Sequence, residues 1–275
     1  MISKVSPHFL FSVDLEDVRD MVPNGMMYTP KVPELTKKYL DFLKEKKSFA
    51  TFFVVGSLAR KYPDLIKLIR DEGHELGCHS DKHLPVSTQN QEDFRSDLEA
   101  NINALKKAGV NNIYGYRAPT FSLTEEVSWV YPILEEFNLT YSSSVLPARN
   151  PLFGWPGFGD LPKKVGAITE VPITLSGTSI LNVPFAGGVY LRALPYPLID
   201  YFFKKAIRRT AVTSYIHPYD IDTEQEPFMH PYINDNKFYN FLLYYNRKNA
   251  LSRISKLVKK FELNIIPYKQ YIDSL

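Results

Sequence analysis

The sequence has very little cysteine: Cys78 stands alone among 275 residues, which excludes an intramolecular disulfide. No uninterrupted apolar run approaches the roughly 18 to 20 residues that would cross a bilayer, so no transmembrane segment is expected. Excess charge is also lacking, because 33 basic and 30 acidic residues leave a net charge of +3. The basic clusters are short, at Lys44, Lys46 and Lys47 and at Lys204, Lys205, Arg208 and Arg209. They read as solvated helix faces, and no nucleic-acid partner is expected. The opening MISKVSPHFLF runs into charged residues after too short an apolar stretch to act as a signal peptide. A cytoplasmic location is the expectation, with peripheral membrane attachment left open. Internal repeats and low-complexity tracts are absent.

What is present is apolar and aromatic. With 44% hydrophobic residues, 18 Phe and 18 Tyr, the chain is a folded protein, and its length suits one domain over residues 1–275. Short β-branched and apolar runs at 8–13, 49–55, 75–78, 112–116, 140–145, 211–216 and 264–267 read as buried strands. Helical periodicity fills most of the gaps, at 33–46, 62–72, 91–108, 125–137, 197–208 and 246–261. Alternation of this kind makes parallel β/α units, and seven or so of them suit an α/β barrel better than an open sheet. Residues 170–194 read as added strands or a hairpin on the barrel rim. The irregular stretch 146–166, with four prolines, is expected to shape a cleft in which Phe153, Trp155 and Phe158 offer ring faces to a sugar.

In a barrel, chemistry sits on the loops that leave the C-terminal ends of the strands, and four motifs fall there. FSVDLED puts Asp14, Glu16 and Asp17 at one strand mouth, where unneutralised carboxylates would repel one another. A divalent cation would relieve that repulsion, taking one carboxylate as a ligand and leaving another as a base; a helix cap with acidic first-turn residues is the plain alternative. In HELGCHSDKH, His79 and His83 lie four apart just past a strand, a spacing that places two imidazoles on one face of a helical turn. Two histidines and one carboxylate leave open positions for water, as catalytic zinc sites do. His74, before the strand, reads as structural. Arg117 ends the YGYR run as a surface ion pair or as a fork that clamps a carboxylate such as Asp14. His217 ends SYIH, where a neutral imidazole could pass a proton to a leaving group.

Taken in order, SVDLED, HSDKH, RAPTF and SYIHP resemble the motifs of the polysaccharide deacetylase (NodB-homology) family, carbohydrate esterase family 4. VPFAGGVYLRALPY and HPYDIDTEQEP are similar to the subgroup associated with bacterial exopolysaccharide clusters. The resemblance implies a distorted (β/α) barrel of seven or eight strands that removes acetyl groups from a sugar. It implies Asp14 as base, Arg117 as its orienting partner, His217 as general acid, and His79 and His83 on one divalent metal ion. Zinc is the first choice for that ion, with cobalt or nickel as alternatives. An oxyanion would be held by the cation and a backbone N–H near Thr120 and Phe121.

Two departures from the family pattern stand out. The usual Asp-Asp pair is spread over Asp14-Leu15-Glu16-Asp17, so the third ligand is either Glu16 or Asp17. In YSSSV, Ser142 stands where relatives of the subgroup tend to have Asp, which removes a carboxylate that could tune Arg117 or His217. The implied partner is an acetylated sugar or glycan precursor in surface-polysaccharide biosynthesis, handled in the cytoplasm or at the inner-membrane surface. Two rivals follow: an amidohydrolase acting on a cyclic amide or ureide, and a glycan-binding homologue without turnover.

Overall fold

The computed structural model describes residues 6–149, 153–178, 182–230 and 233–275. The first apolar run divides into two strands, β1 (His8–Leu10) and β2 (Ser12–Leu15), and β2 is buried along its whole length. Helix α1 (Val32–Glu45) follows, with Pro33 in its first turn and Leu35, Tyr39, Leu40 and Leu43 buried at helical spacing. Then come β3 (Thr51–Val54), α2 (Gly56–Lys61), α3 (Pro63–Asp71) and β4 (Glu75–Cys78). Next are α4 (Gln91–Lys107), β5 (Gly115–Tyr116), α5 (Val130–Glu136) and β6 (Tyr141–Ser142). Asn90 caps α4 by accepting from the N–H of Asp93. The remainder is β7 (Lys163–Val165), β8 (Ile168–Glu170), α6 (Gly188–Ala193), α7 (Tyr196–Ala206), β9 (Val212–Thr213), α8 (Lys237–Tyr244), α9 (Ala250–Phe261), β10 (Asn264–Ile265) and α10 (Tyr268–Ile272).

The main sheet runs β2-β3-β4-β5-β6-β8-β7 and is parallel except for β7, which returns antiparallel to β8. A second, parallel sheet runs β10-β1-β9. The chain passes from one sheet to the other at Phe11, and the two are joined because the Asp14 N–H donates to the Ile216 carbonyl (2.8 Å). Beyond β8 the ring is completed without a ladder: the N–H of Thr174 donates to Thr213 Oγ1 (2.7 Å), and that of Thr213 donates to Thr174 Oγ1 (2.9 Å). The result is a distorted, mostly parallel barrel whose strands point the ends of β2, β4, β5 and β9 toward one face.

Two sequence expectations move. The rim hairpin is real but lies at 163–170, ahead of the predicted 170–194. Within the predicted stretch Pro172 and Pro184 remove ladder donors, and Gly187 and Gly188 open α6 instead. A β-carbon on Gly187 would lie 2.3 Å from the Tyr215 carbonyl oxygen, so the approach requires glycine. The predicted helix at 125–137 begins as a single 3-10 turn, Glu125–Val127, before α5.

Candidate active site

Strand β2 ends in Asp14 and then Glu16, both buried. Nη1 of Arg117 donates to Asp14 Oδ1 (2.6 Å) and to Ser12 Oγ (2.7 Å). The remaining arms are also taken: Nε donates to the Ser143 carbonyl (3.0 Å), and Nη2 to Ser143 Oγ (3.0 Å) and the Tyr268 hydroxyl (2.8 Å). The guanidinium carbon lies 4.1 Å from the Phe53 ring centroid. Burial alone would weaken this cation, but Asp14 outweighs it and the guanidinium is held firmly charged. Arg117 is therefore a fixed internal clamp and not a surface ion pair.

His79 follows β4. Its Nδ1 meets the Arg117 carbonyl at 2.8 Å, and since a carbonyl only accepts, Nδ1 carries the proton and Nε2 is free as a ligand atom. The segment after it is not a helical turn, contrary to the sequence expectation: Ser80 (φ 65°) and His83 (φ 56°) adopt left-handed backbone. This loop is tied down from outside. The N–H groups of Gly56 and Ser57 donate to the carbonyls of Ser80 (3.0 Å) and Asp81 (2.9 Å), Arg60 forks onto the Asp81 carboxylate, and Asn101 accepts from the His79 N–H (2.9 Å). Gly56 is required here, because a β-carbon would lie 2.2 Å from Asp81 Oδ1. By this route the two rings still converge, with centroids 5.0 Å apart.

Glu16 completes the group. Its Oε2 lies 2.5 Å from His83 Nε2 and 3.7 Å from His79 Nε2, and the ligand atoms of the three residues all lie within 4.8 Å of one another. Although buried, Glu16 Oε2 has no hydrogen-bond partner of proper geometry, and neither has His83 Nδ1. Burial pushes the Glu16 carboxyl up, yet His83 and His217 outweigh it and hold it well below the usual range. A buried carboxylate between two imidazoles, one of them fixed with Nε2 free, is a donor set that suits a divalent cation. Asp17 turns elsewhere. Its carboxylate accepts from Arg19 Nε (3.0 Å) and Nη2 (2.5 Å), and it caps a 3-10 turn, Val18–Met21. Of the two alternatives for a third ligand, only Glu16 lies with the histidines.

His217, after β9, approaches from the opposite side, with Nε2 3.9 Å from Glu16 Oε1. Its Nδ1 lies 3.0 Å from Asp220 Oδ2, and its ring stacks on Tyr219 at 4.7 Å. Burial pushes the imidazole down, but Glu16 and Asp220 outweigh it and push it up to about 9. Asp220 is itself held by Arg192 Nε (3.1 Å) and Nη2 (2.8 Å) in a fully buried pair. HPYD and YLRAL were in plain view in the sequence, yet neither Asp220 nor Arg192 carried a signal for this role.

These residues open into a cavity of about 280 Å³, walled by Phe121, Leu146, Tyr190 and Tyr215. The expected aromatic wall lies elsewhere: Phe158 is in the core, Trp155 packs on it, and neither these two nor Phe153 lines the cavity. Thr120 (φ 55°) and Phe121 (φ 54°) form a left-handed pair at the rim, and the Phe121 N–H is already given to the Ala118 carbonyl (3.1 Å). Ser142 is bonded to Ser144 Oγ (2.7 Å), beside Glu170 on the neighbouring strand, whose Oε1 accepts from the N–H of Ser144 (2.7 Å) and Val145 (3.0 Å). His74 lies outside the site, where its Nδ1 accepts from the Ala50 N–H (3.3 Å).

Residues 21–140 match the sequence family described as polysaccharide deacetylase, and residues 143–267 match a domain of unknown function, DUF3473. Among curated proteins, the chain is similar to a peptidoglycan-N-acetylglucosamine deacetylase of Bacillus cereus, 36% identical over 88 residues, which is 32% of this chain and 30% of that protein. It is also similar to the peptidoglycan-N-acetylmuramic acid deacetylase PdaA of Bacillus subtilis, 35% identical over 101 residues and 36% of each chain. The matched segment spans about a third of the length of these relatives. Among solved structures, a candidate polysaccharide deacetylase from Mycobacterium smegmatis shares the fold, with a TM-score of 0.62 and 17% identity over 100% of this chain and 94% of that one.

Proposed function

This chain belongs to the polysaccharide deacetylase (NodB-homology) family, carbohydrate esterase family 4, and on that premise we propose that it hydrolyses the acetyl group of an N- or O-acetylated sugar. The observation that carries the reading is the convergence of Glu16, His79 and His83 at the barrel mouth, with Asp14 and His217 facing the same cavity. Glu16, His79 and His83 are the residues that would hold one divalent cation, zinc first and cobalt or nickel next; Asp17 is spent on Arg19. Bound there, such an ion supplies Lewis acidity to a water and an acetyl carbonyl.

The chain's own residues supply the proton transfers. Arg117 binds Oδ1 of Asp14 and fixes the direction of the carboxylate, so Asp14 accepts the proton of the attacking water. His217 has Nδ1 committed to Asp220, which leaves Nε2 to protonate the departing sugar nitrogen or oxygen. The walls of Tyr190, Tyr215, Phe121 and Leu146 suit the apolar face of a sugar ring. Asp14 and Glu16 come from β2 and His217 from beyond β9, so we read residues 1–275 as one catalytic domain. The substrate class we favour is a precursor in bacterial surface-polysaccharide assembly.

The test is acetate release from acetylated sugar oligomers by metal-loaded protein, beside ring opening of cyclic amides and ureides. Acetate release that is lost in His79→Ala and His83→Ala together with bound metal supports the proposal. Ring opening without acetate release overturns it, and sugar binding without any turnover would instead favour a glycan-binding role.

A further inference from the structure

Helix α8 is built the wrong way round for a water-facing surface. Phe238 and Phe241 lie three apart on it and so share a face, and the Tyr245 ring, just past its end, packs against Phe241 with centroids 5.7 Å apart. All three are exposed, Phe238 at 65% and Phe241 at 58%, and Tyr239 stands exposed beside them. Lys237 is the only charge on the helix. The inner side is anchored: the Tyr244 hydroxyl accepts from the Phe228 N–H (3.0 Å), and Leu243 lines the active-site cavity. Helix α8 therefore borders the site, with the aromatic stripe facing outward.

A second exposed apolar group stands on the segment between β2 and α1. Met26 and Met27 are 77% and 84% exposed in the 3-10 turn Gly25–Met27. The next residue, Tyr28, packs on Phe228 with ring centroids 4.9 Å apart. Thioether side chains have no ring face to offer a sugar, but they suit acyl chains as well as aromatic rings do.

Charge then selects the partner. From Lys237 to Phe261 the sequence contains five Lys and two Arg and no Asp or Glu. Lys248, Lys256 and Lys259 are exposed, the last two on one face of α9. The nearest acids on the 222–230 loop are already engaged: Glu224 pairs with Lys31 (3.0 Å) and Glu226 accepts from Thr29 Oγ1 (2.6 Å). Asp235 is exposed just before α8, but the basic residues outnumber it, and aromatic and thioether groups flanked by an excess of lysine are the composition of an interfacial helix on an anionic bilayer.

We infer that α8, with the Met26–Met27 turn, docks this protein on an anionic phospholipid surface and holds the cavity mouth at the headgroup level. This presents the site to an acetylated sugar carried on a lipid. It deepens the functional reading in its choice of substrate, while the docking itself does not depend on catalysis.

The test uses the full chain with vesicles of phosphatidylcholine alone and with phosphatidylglycerol added. Cys78 is fully buried, so an environment-sensitive dye can be placed selectively at Phe241→Cys or, on the far end of the barrel, at Phe49→Cys. Expected results are a blue shift of the Phe241 label with the anionic vesicles only, none at Phe49, and weakening of binding by tenfold or more in Phe238→Ser/Phe241→Ser or at high salt. Acetate release from a soluble acetylated sugar should be unchanged in that double variant. No binding to anionic vesicles overturns the inference. So does equal response at both labels, or concentration-dependent dimerisation of the unmodified protein that the double variant abolishes. Loss of acetate release in the unmodified protein with vesicle binding intact would count against the catalytic reading alone.

Discussion

Asp220 Oδ2 lies 3.0 Å from His217 Nδ1, and the other oxygen of that carboxylate belongs to Arg192. The histidine's tautomer and the direction of its Nε2 therefore depend on a carboxylate three residues further along the same turn. Asp220→Asn keeps the shape but can present an amide N–H to Nδ1, and it leaves Arg192 as a buried charge without a counterion. We expect kcat to fall by about 10²-fold with little change in KM. Stability should drop by about 3 to 5 kcal/mol in urea titrations, since breaking a buried pair costs more than the pair contributes. A variant that loses stability but keeps full kcat would show Asp220 to be structural only.

The Arg117 clamp makes a separate prediction. Five donor contacts and the Phe53 ring fix the guanidinium, and a lysine ammonium can reproduce neither the fork nor the stacking. Arg117→Lys should retain its bound metal, measured by elemental analysis, while losing about 10²-fold or more in kcat. Loss of metal in step with activity would mean that Arg117 acts through His79, whose Nδ1 it holds by its carbonyl.

Glu16 and Asp17 are neighbours with opposite prospects. Glu16→Gln should abolish high-affinity metal binding, whereas Asp17→Asn should keep it and lose stability through Arg19. Because a metal that binds only the folded chain raises stability by RT ln(1 + [M]/Kd), adding the ion at about 100 times Kd should stabilise the unmodified protein and Asp17→Asn by about 2.7 kcal/mol. Glu16→Gln and His83→Ala should show no such gain. A metal-dependent shift that survives Glu16→Gln would remove Glu16 from the ligand set.

The strand-end logic explains why so much of the site was legible in the sequence. Asp14, His79, Arg117 and His217 each end an apolar run, and in a parallel barrel such ends share one face, so the order of motifs sufficed to gather them. What stayed hidden depends on tertiary partners. Glu16 and Asp17 differ only in what they meet, and Arg19 decides that two residues later. The His79–His83 loop looks helical by spacing, but bonds from α2 and α4 to His79, Ser80 and Asp81 hold it in a course, with Ser80 and His83 in left-handed backbone, that local pattern does not encode. The interior of α8 was likewise unreadable, because its apolar spacing faces out and no core rewards it.

His74 gives a pH dependence that can be read apart from the site. It is buried against Phe49 and Phe52, and burial pushes its imidazole down to about 4 from the ordinary 6.5. Its Nδ1 accepts from the Ala50 N–H, a bond that protonation would destroy. The unfolded chain therefore takes up this proton before the folded one does, so the stabilisation is complete above pH 6.5 and declines as the pH falls toward 4. The full effect is about 3 kcal/mol. His74→Gln keeps an oxygen acceptor for Ala50 without a titrating group. In urea titrations with a chelator present throughout, the unmodified protein should lose stability faster than His74→Gln across this window, and the two curves should run parallel above it. Parallel curves at every pH would mean that the imidazole takes up its proton as readily in the fold as in the unfolded chain, so the Ala50 contact does not hold it neutral.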